Sequence, residues 1–162
     1  AAKPLFDIDE AVRRMRAARQ AIDSCGGDTL LVGRAECFLV GKPDLAETIA
    51  RLQAYAQAGA DCLYAPGLRT PEQIAAVVKA VAPKPVNLLV GSASDLTVQS
   101  IAALGVRRIS VGGALARSAW GGFMRAAKLL AEQGKFDGFA DAAPGAALNS
   151  FFLRDAKERG LQ

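Results

Sequence analysis

An arginine and a glutamate, two residues apart, follow a short apolar run near the amino end of the chain. The run is Leu30–Val32, bounded by Gly27 and Gly33, and Arg34 and Glu36 come after it. It is too short for a helix, so it predicts a strand buried on both faces, as in parallel sheets covered by helices. Residues just past such strand ends face the ligand in parallel α/β proteins and barrels.

Arg34 is therefore the first candidate for binding a negatively charged ligand. The fixed fork of donors on a guanidinium suits a carboxylate or a phosphoryl group. A strand-end ion pair or a solvated loop charge is the structural alternative, and position alone does not separate the two. Glu36 either completes a hydrogen-bond network around the bound group or simply holds the Arg34 side chain.

Further candidates lie in or just beyond two later apolar runs. Asn87 lies inside the third run, where a polar side chain needs partners, so a structural hydrogen bond and a contact with substrate both remain open. Gly91 and Ser92 follow that run, and Gly112 and Gly113 follow the fourth. Loops of this kind bind phosphate in many barrels through backbone amides, although tight turning alone also explains the glycines.

The chemistry open to the chain is limited by its composition. The 162 residues include no histidine, which excludes Ser–His and Cys–His nucleophiles and any His-ligated metal. Cys25, Cys37 and Cys62 are widely spaced and form no CxxC pair, so we expect reduced, hydrophobic side chains. Any catalysis would rest on carboxylates, arginine, lysine, hydroxyls, thiols or backbone amides.

The net charge of +4 does not by itself indicate a nucleic-acid partner. The basic residues concentrate in two groups, one on the outer face of a predicted helix and one as a pair: Arg13, Arg14, Arg16 and Arg19, then Arg107 and Arg108. No interleaved aromatic residues accompany them, so we expect solvated surfaces. No apolar run approaches the ~18 residues of a membrane span and no signal-peptide pattern opens the chain, so we expect no membrane partner and a cytoplasmic location.

Helical and strand periodicities alternate along the chain. They predict helices over Ile8–Ser24, Pro43–Gly59, Thr70–Val81, Leu96–Leu104, Ala114–Glu132 and Pro144–Arg159, and strands over Leu30–Val32, Asp61–Ala65, Pro85–Val90 and Arg108–Val111. Regular alternation of this kind predicts an α/β fold with a parallel sheet, either doubly wound or a (β/α)₈ barrel. Four βα units are half of such a barrel, since eight usually take about 250 residues.

The strands and their turns carry linked motifs in a fixed order. These are GRAECF, AGADCLYAPGL, KPVNLLVG and LGVRRISVGGALARSAW. From Phe6 to Phe152 the chain resembles the carboxyl-terminal half of the isocitrate lyase/phosphoenolpyruvate mutase superfamily, particularly its phosphonomutase-like members. The resemblance implies the C-terminal half of a (β/α)₈ TIM-type barrel, with four βα units over residues 1–134. Residues 135–162 would form a linker and a helix packed on the barrel or on a neighbouring subunit.

The same resemblance implies a Mg²⁺-dependent lyase or phosphonomutase acting on a C–C or P–C bond of a small oxo or enol acid. Oxaloacetate, isocitrate and phosphoenolpyruvate are of this type. Such chemistry needs a cation to take up oxyanion charge and donors to hold the carboxylates. Arg34 matches the family's arginine that grips the substrate, and the other candidate substrate contacts are Glu36, Asn87, Gly91, Ser92, Gly112 and Gly113.

Departures from the family pattern limit what this chain can do alone. The family's metal-binding carboxylates and catalytic loop lie on its first four strands, so we expect no metal ligand here and no activity from this chain by itself. Pro66 and Gly91 stand where 2-methylisocitrate-type lyases have Glu and Asn, which argues against that specificity.

Two other functions remain open from the sequence. A half-barrel leaves two bare strand edges and an apolar inner face, which favours a non-catalytic, self-associating protein. The glycine-rich loops would alternatively serve a barrel fragment that binds phosphate esters. The family often exchanges its long fifth helix between subunits, which implies a homo-oligomer with Trp120 and Phe123 at the interface.

Overall fold

The computed structural model describes residues 4–161, and its helices and strands alternate as predicted. The elements are α1 (Ile8–Cys25), β1 (Val32–Arg34), α2 (Leu45–Gln57), β2 (Cys62–Tyr64), α3 (Pro71–Val81), β3 (Val86–Leu89), α4 (Val98–Ala103), β4 (Arg108–Ser110), α5 (Ala114–Gln133), a 3₁₀ turn (Asp137–Phe139) and α6 (Gly145–Glu158). Over residues 4–161, no helix is both long enough and apolar enough to cross a membrane.

The strands form one parallel sheet in the order β1-β2-β3-β4. Sequential parallel strands joined by right-handed crossovers place all the connecting helices on the same face of the sheet. A doubly wound sheet would reverse its strand order instead. The observed order is that of half a (β/α)₈ barrel, which confirms the predicted fold class.

The hydrophobic core lies between the sheet and the helices α2 and α3. Leu63 on β2 and Ile74 and Val77 on α3 are fully buried there. Gly33 allows α2 to approach β1 closely, because a Cβ at this position would lie 2.9 Å from Cβ of Tyr55. This close contact identifies the side of β1 that faces the helices, so the opposite side of the strand can carry polar residues.

Three of the helices begin directly after a capping residue. Asp44 accepts a hydrogen bond from the backbone N–H of Glu47, and Thr70 and Gln73 form a complete capping box at the start of α3. Thr97 caps α4 in the same way. These local side-chain bonds determine where each helix begins.

Three apolar residues of the predicted helices and strands are exposed. Leu30 is 72% exposed because β1 begins only at Val32, so Arg34 is the last strand residue instead of lying beyond the strand. Val98 is 70% exposed because α4 is so short that only Ile101 reaches the core. Ile8 is 38% exposed, and Ala11 is instead the residue of α1 that is buried.

Arg19, expected on a solvated helix face, instead joins α1 to the start of β2. Its guanidinium lies 2.6 Å from Asp23 and 2.9 Å from Asp61, and Asp61 also accepts a hydrogen bond of 2.7 Å from the Leu31 amide. Gly59 has a φ of +102°, and a Cβ there would lie 2.6 Å from the Arg19 side chain. A backbone that only glycine adopts easily therefore makes room for this ion pair.

The chain divides into two compact units, the first ending at Ala114 and the second beginning at Leu115. The sequence predicted a boundary after residue 134, with the long helix counted among the βα units. In the structure nearly all of α5 instead groups with the C-terminal segment. No residue of α5 or of α6 is buried.

Candidate functional site

The face of the sheet opposite the helices carries most of its polar side chains, and we call it the inner face. Side chains alternate along a strand, and Gly33, Leu63 and Leu88 point toward the helices. The strand register then assigns the following residues to the inner face: Val32, Arg34, Cys62, Tyr64, Asn87, Leu89, Arg108 and Ser110.

Arg34 lies at the carboxyl end of β1 on the inner face, with two partners. Its Nε pairs with a carboxylate oxygen of Glu36, and its guanidinium carbon lies 4.9 Å from the centre of the Tyr64 ring. Tyr64 is the register partner of Arg34, which explains the stacking. The Arg34 side chain is still 47% exposed, so part of its donor fork is accessible to a ligand.

Asn87 lies in the middle of the inner face and is only 1% exposed. Its Nδ2 donates a hydrogen bond of 2.9 Å to Oγ of Ser110, which is the structural hydrogen bond that the sequence left open. Its Oδ1 is buried and has no hydrogen-bond partner within residues 4–161. The inner face therefore retains one buried, unused acceptor beside Arg108, the register partner of Asn87.

Cys62 and Arg108 lie near each other on the inner face. Burial raises the pKa of the Cys62 thiol, and the charge of Arg108 opposes that rise. The sequence grouped Arg107 and Arg108 as one solvated pair, but the strand register separates them. Arg107 precedes β4 and donates to the carbonyl of Val106, whereas Arg108 begins the strand and projects from the inner face.

A cleft of about 280 Å³ opens where β2 and β3 end. Its lining includes Leu39, Arg69, Leu89, Gly91, Ser92 and Ser94. Gly91 and Ser92 were predicted as ligand contacts and do line this space. Gly112 and Gly113 do not line it, and the φ of +53° at Gly112 shows a tight backbone turn after β4.

Sequence reasoning missed Arg69 and Arg108 as cations of this part of the molecule. Arg69 lies in a loop that has no periodicity, and its only signal is that it follows the second predicted strand by a few residues. The strand register determines which side of the sheet each arginine of the Arg107–Arg108 pair faces. The pair alone does not reveal that register. Tyr64 supplies the ring on which Arg34 stacks.

The described residues do not fit a magnesium ion. Within residues 4–161, no three side chains of His, Cys, Asp or Glu are grouped so that they could hold a metal. The strand residues of the inner face include the guanidinium groups of Arg34 and Arg108 and no carboxylate, whereas Mg²⁺ prefers oxygen ligands. The arrangement can bind an anion.

Comparisons with known proteins agree with this fold. The model of the family described as Phosphoenolpyruvate phosphomutase matches residues 1–131. A candidate lyase/mutase from Burkholderia cenocepacia J2315 is 45% identical, with a TM-score of 0.87 over 92% of this chain and 54% of its own. A candidate phosphonomutase from the same organism is 40% identical, with a TM-score of 0.69 over 76% of this chain and 53% of its own.

The structure of oxaloacetate acetylhydrolase in complex with the product oxalate is 28% identical, with a TM-score of 0.79. That match covers 98% of this chain and 55% of the other. The chain thus spans about half the length of the solved structures it matches. A comparison with curated proteins found no match.

Proposed function

Because the chain belongs to the phosphoenolpyruvate phosphomutase family, we propose that it is part of a lyase or phosphonomutase for a small oxo or enol carboxylic acid. The bond broken or shifted would be a C–C or P–C bond beside a carboxylate, as in oxaloacetate, isocitrate or phosphoenolpyruvate. The observation that carries the proposal is Arg34, a half-exposed guanidinium at the carboxyl end of a barrel strand. The similar structures named above support the class of reaction.

In this proposal Arg34 holds the substrate carboxylate. A guanidinium binds a carboxylate through two parallel N–H donors, which fixes the orientation of the acid as well as its position. Glu36 and Tyr64 restrain the side chain before substrate arrives, so less side-chain entropy is lost on binding. The bond beside the carboxylate is then held in one place relative to the rest of the active site.

The magnesium ion of the proposed enzyme would be held by residues that this chain does not contain. A divalent cation supplies charge stabilisation for the oxyanion that develops in such reactions. Since residues 4–161 group no set of metal ligands, we propose that the chain alone is inactive. The purified chain should not turn over oxaloacetate above the uncatalysed rate, with or without Mg²⁺, and sustained turnover would contradict this part of the proposal.

Oxalate binding tests the role of Arg34 in the chain itself. Hydrogen bonds to charged groups contribute about 1.5–3 kcal/mol, so Arg34→Gln should weaken oxalate binding about tenfold or more in isothermal titration. Arg107→Gln removes the same charge from a residue that precedes β4 and should bind oxalate like the unmodified chain. Equal affinity in Arg34→Gln and the unmodified chain would overturn the anchor.

Self-association is the second candidate function, and the exposed apolar residues of the second unit favour it. Trp120 and Phe123 are both largely exposed, and their rings contact each other edge to face at 5.3 Å. Exposed apolar residues in contact with each other are typical of protein interfaces. We propose a homo-oligomer in which the helix around Trp120 lies between subunits, whether or not the assembly is catalytic.

A further inference from the structure

We draw no further inference here: the strongest candidate, the largely apolar cavity of about 900 Å³ that α5 and residues 137–143 line within the second unit, carries none because nothing in the structure shows what covers it.

Discussion

At the scale of single residues, Arg34 is held by a charge on one side and an aromatic ring on the other. Glu36 alone would leave the guanidinium free to rotate about the ion pair, and the ring of Tyr64 removes that freedom. A cation–π contact at an exposed site contributes about 0.5–1 kcal/mol. The orientation of Arg34 toward the inner face thus depends on a residue of the neighbouring strand.

Tyr64→Leu tests this positioning role. Loss of the ring should weaken oxalate binding about two- to fivefold, since the contact contributes less than one charged hydrogen bond. Tyr64→Phe retains the ring and should bind oxalate like the unmodified chain. Isothermal titration of both variants gives the comparison. Equal losses in Tyr64→Phe and Tyr64→Leu would show that the hydroxyl acts, and not the ring.

The pKa of Cys62 predicts a loss of stability in alkaline solution. Burial raises this pKa in the folded state, so the native chain holds the thiol proton more tightly than the unfolded chain does. The resulting stability is fully present below the ordinary thiol pKa and is lost as pH rises through the higher folded-state value. Calorimetry between about pH 8 and about pH 10 should show a smaller fall in melting temperature for Cys62→Ala.

Arg108 offers an independent check on the same thiol. Because the Arg108 charge lowers the Cys62 pKa, Arg108→Gln should raise the folded-state pKa further, so the alkaline loss of stability should begin at the same ordinary thiol pKa but become larger and continue to higher pH. Arg107→Gln should not change it. If Cys62→Ala and the unmodified chain lose stability in parallel as pH rises, the thiol does not contribute.

At the scale of elements, the helices could be predicted more fully than the strands. Caps such as Thr70 with Gln73 are local, so neighbouring residues are enough to identify the start of a helix. The start of β1 depends on pairing with β2, so the apolar character of Leu30 does not show that this residue lies outside the strand. In α4, Val98 has the spacing of a residue that faces the core, but the helix is too short to bring this side chain there.

Gly33 controls how closely α2 approaches the sheet. An added methyl group would lie 2.9 Å from Cβ of Tyr55 and 3.1 Å from Cβ of Ala60, and both positions are fixed by backbone. Overpacking of this kind costs about 1–3 kcal/mol. We expect Gly33→Ala to lower the free energy of unfolding by that amount in urea titrations. Gly91→Ala, whose nearest contact would be 3.7 Å, is the matched control, and equal effects would contradict the close approach.

At the scale of the whole molecule, the strand order carries the architecture. Regular βα alternation is compatible with both a doubly wound sheet and a barrel. The observed strand order β1-β2-β3-β4 is that of half a barrel. The order of the motifs along the sequence supports the same fold. The division at Ala114 could not be predicted, because the apolar spacing of α5 does not reveal which unit the helix joins.

The exposed apolar side chains of the second unit predict self-association. Light scattering should give a mass of at least twice that of one chain, 16.9 kDa. Trp120→Gln with Phe123→Gln removes the edge-to-face pair and should shift the mass toward one chain. Arg117→Gln changes the same helix without removing apolar surface and should keep the oligomer. A monodisperse monomer of the unmodified chain would contradict the prediction.

The role of Arg34 is tested most directly by the affinity for oxalate of the unmodified chain and of Arg34→Gln, titrated at the same ionic strength. We expect saturable binding to the unmodified chain and a loss of about tenfold or more in the variant, with Arg107→Gln unchanged. Equal oxalate affinity in all three proteins would show that the guanidinium at the end of β1 is not the anion anchor.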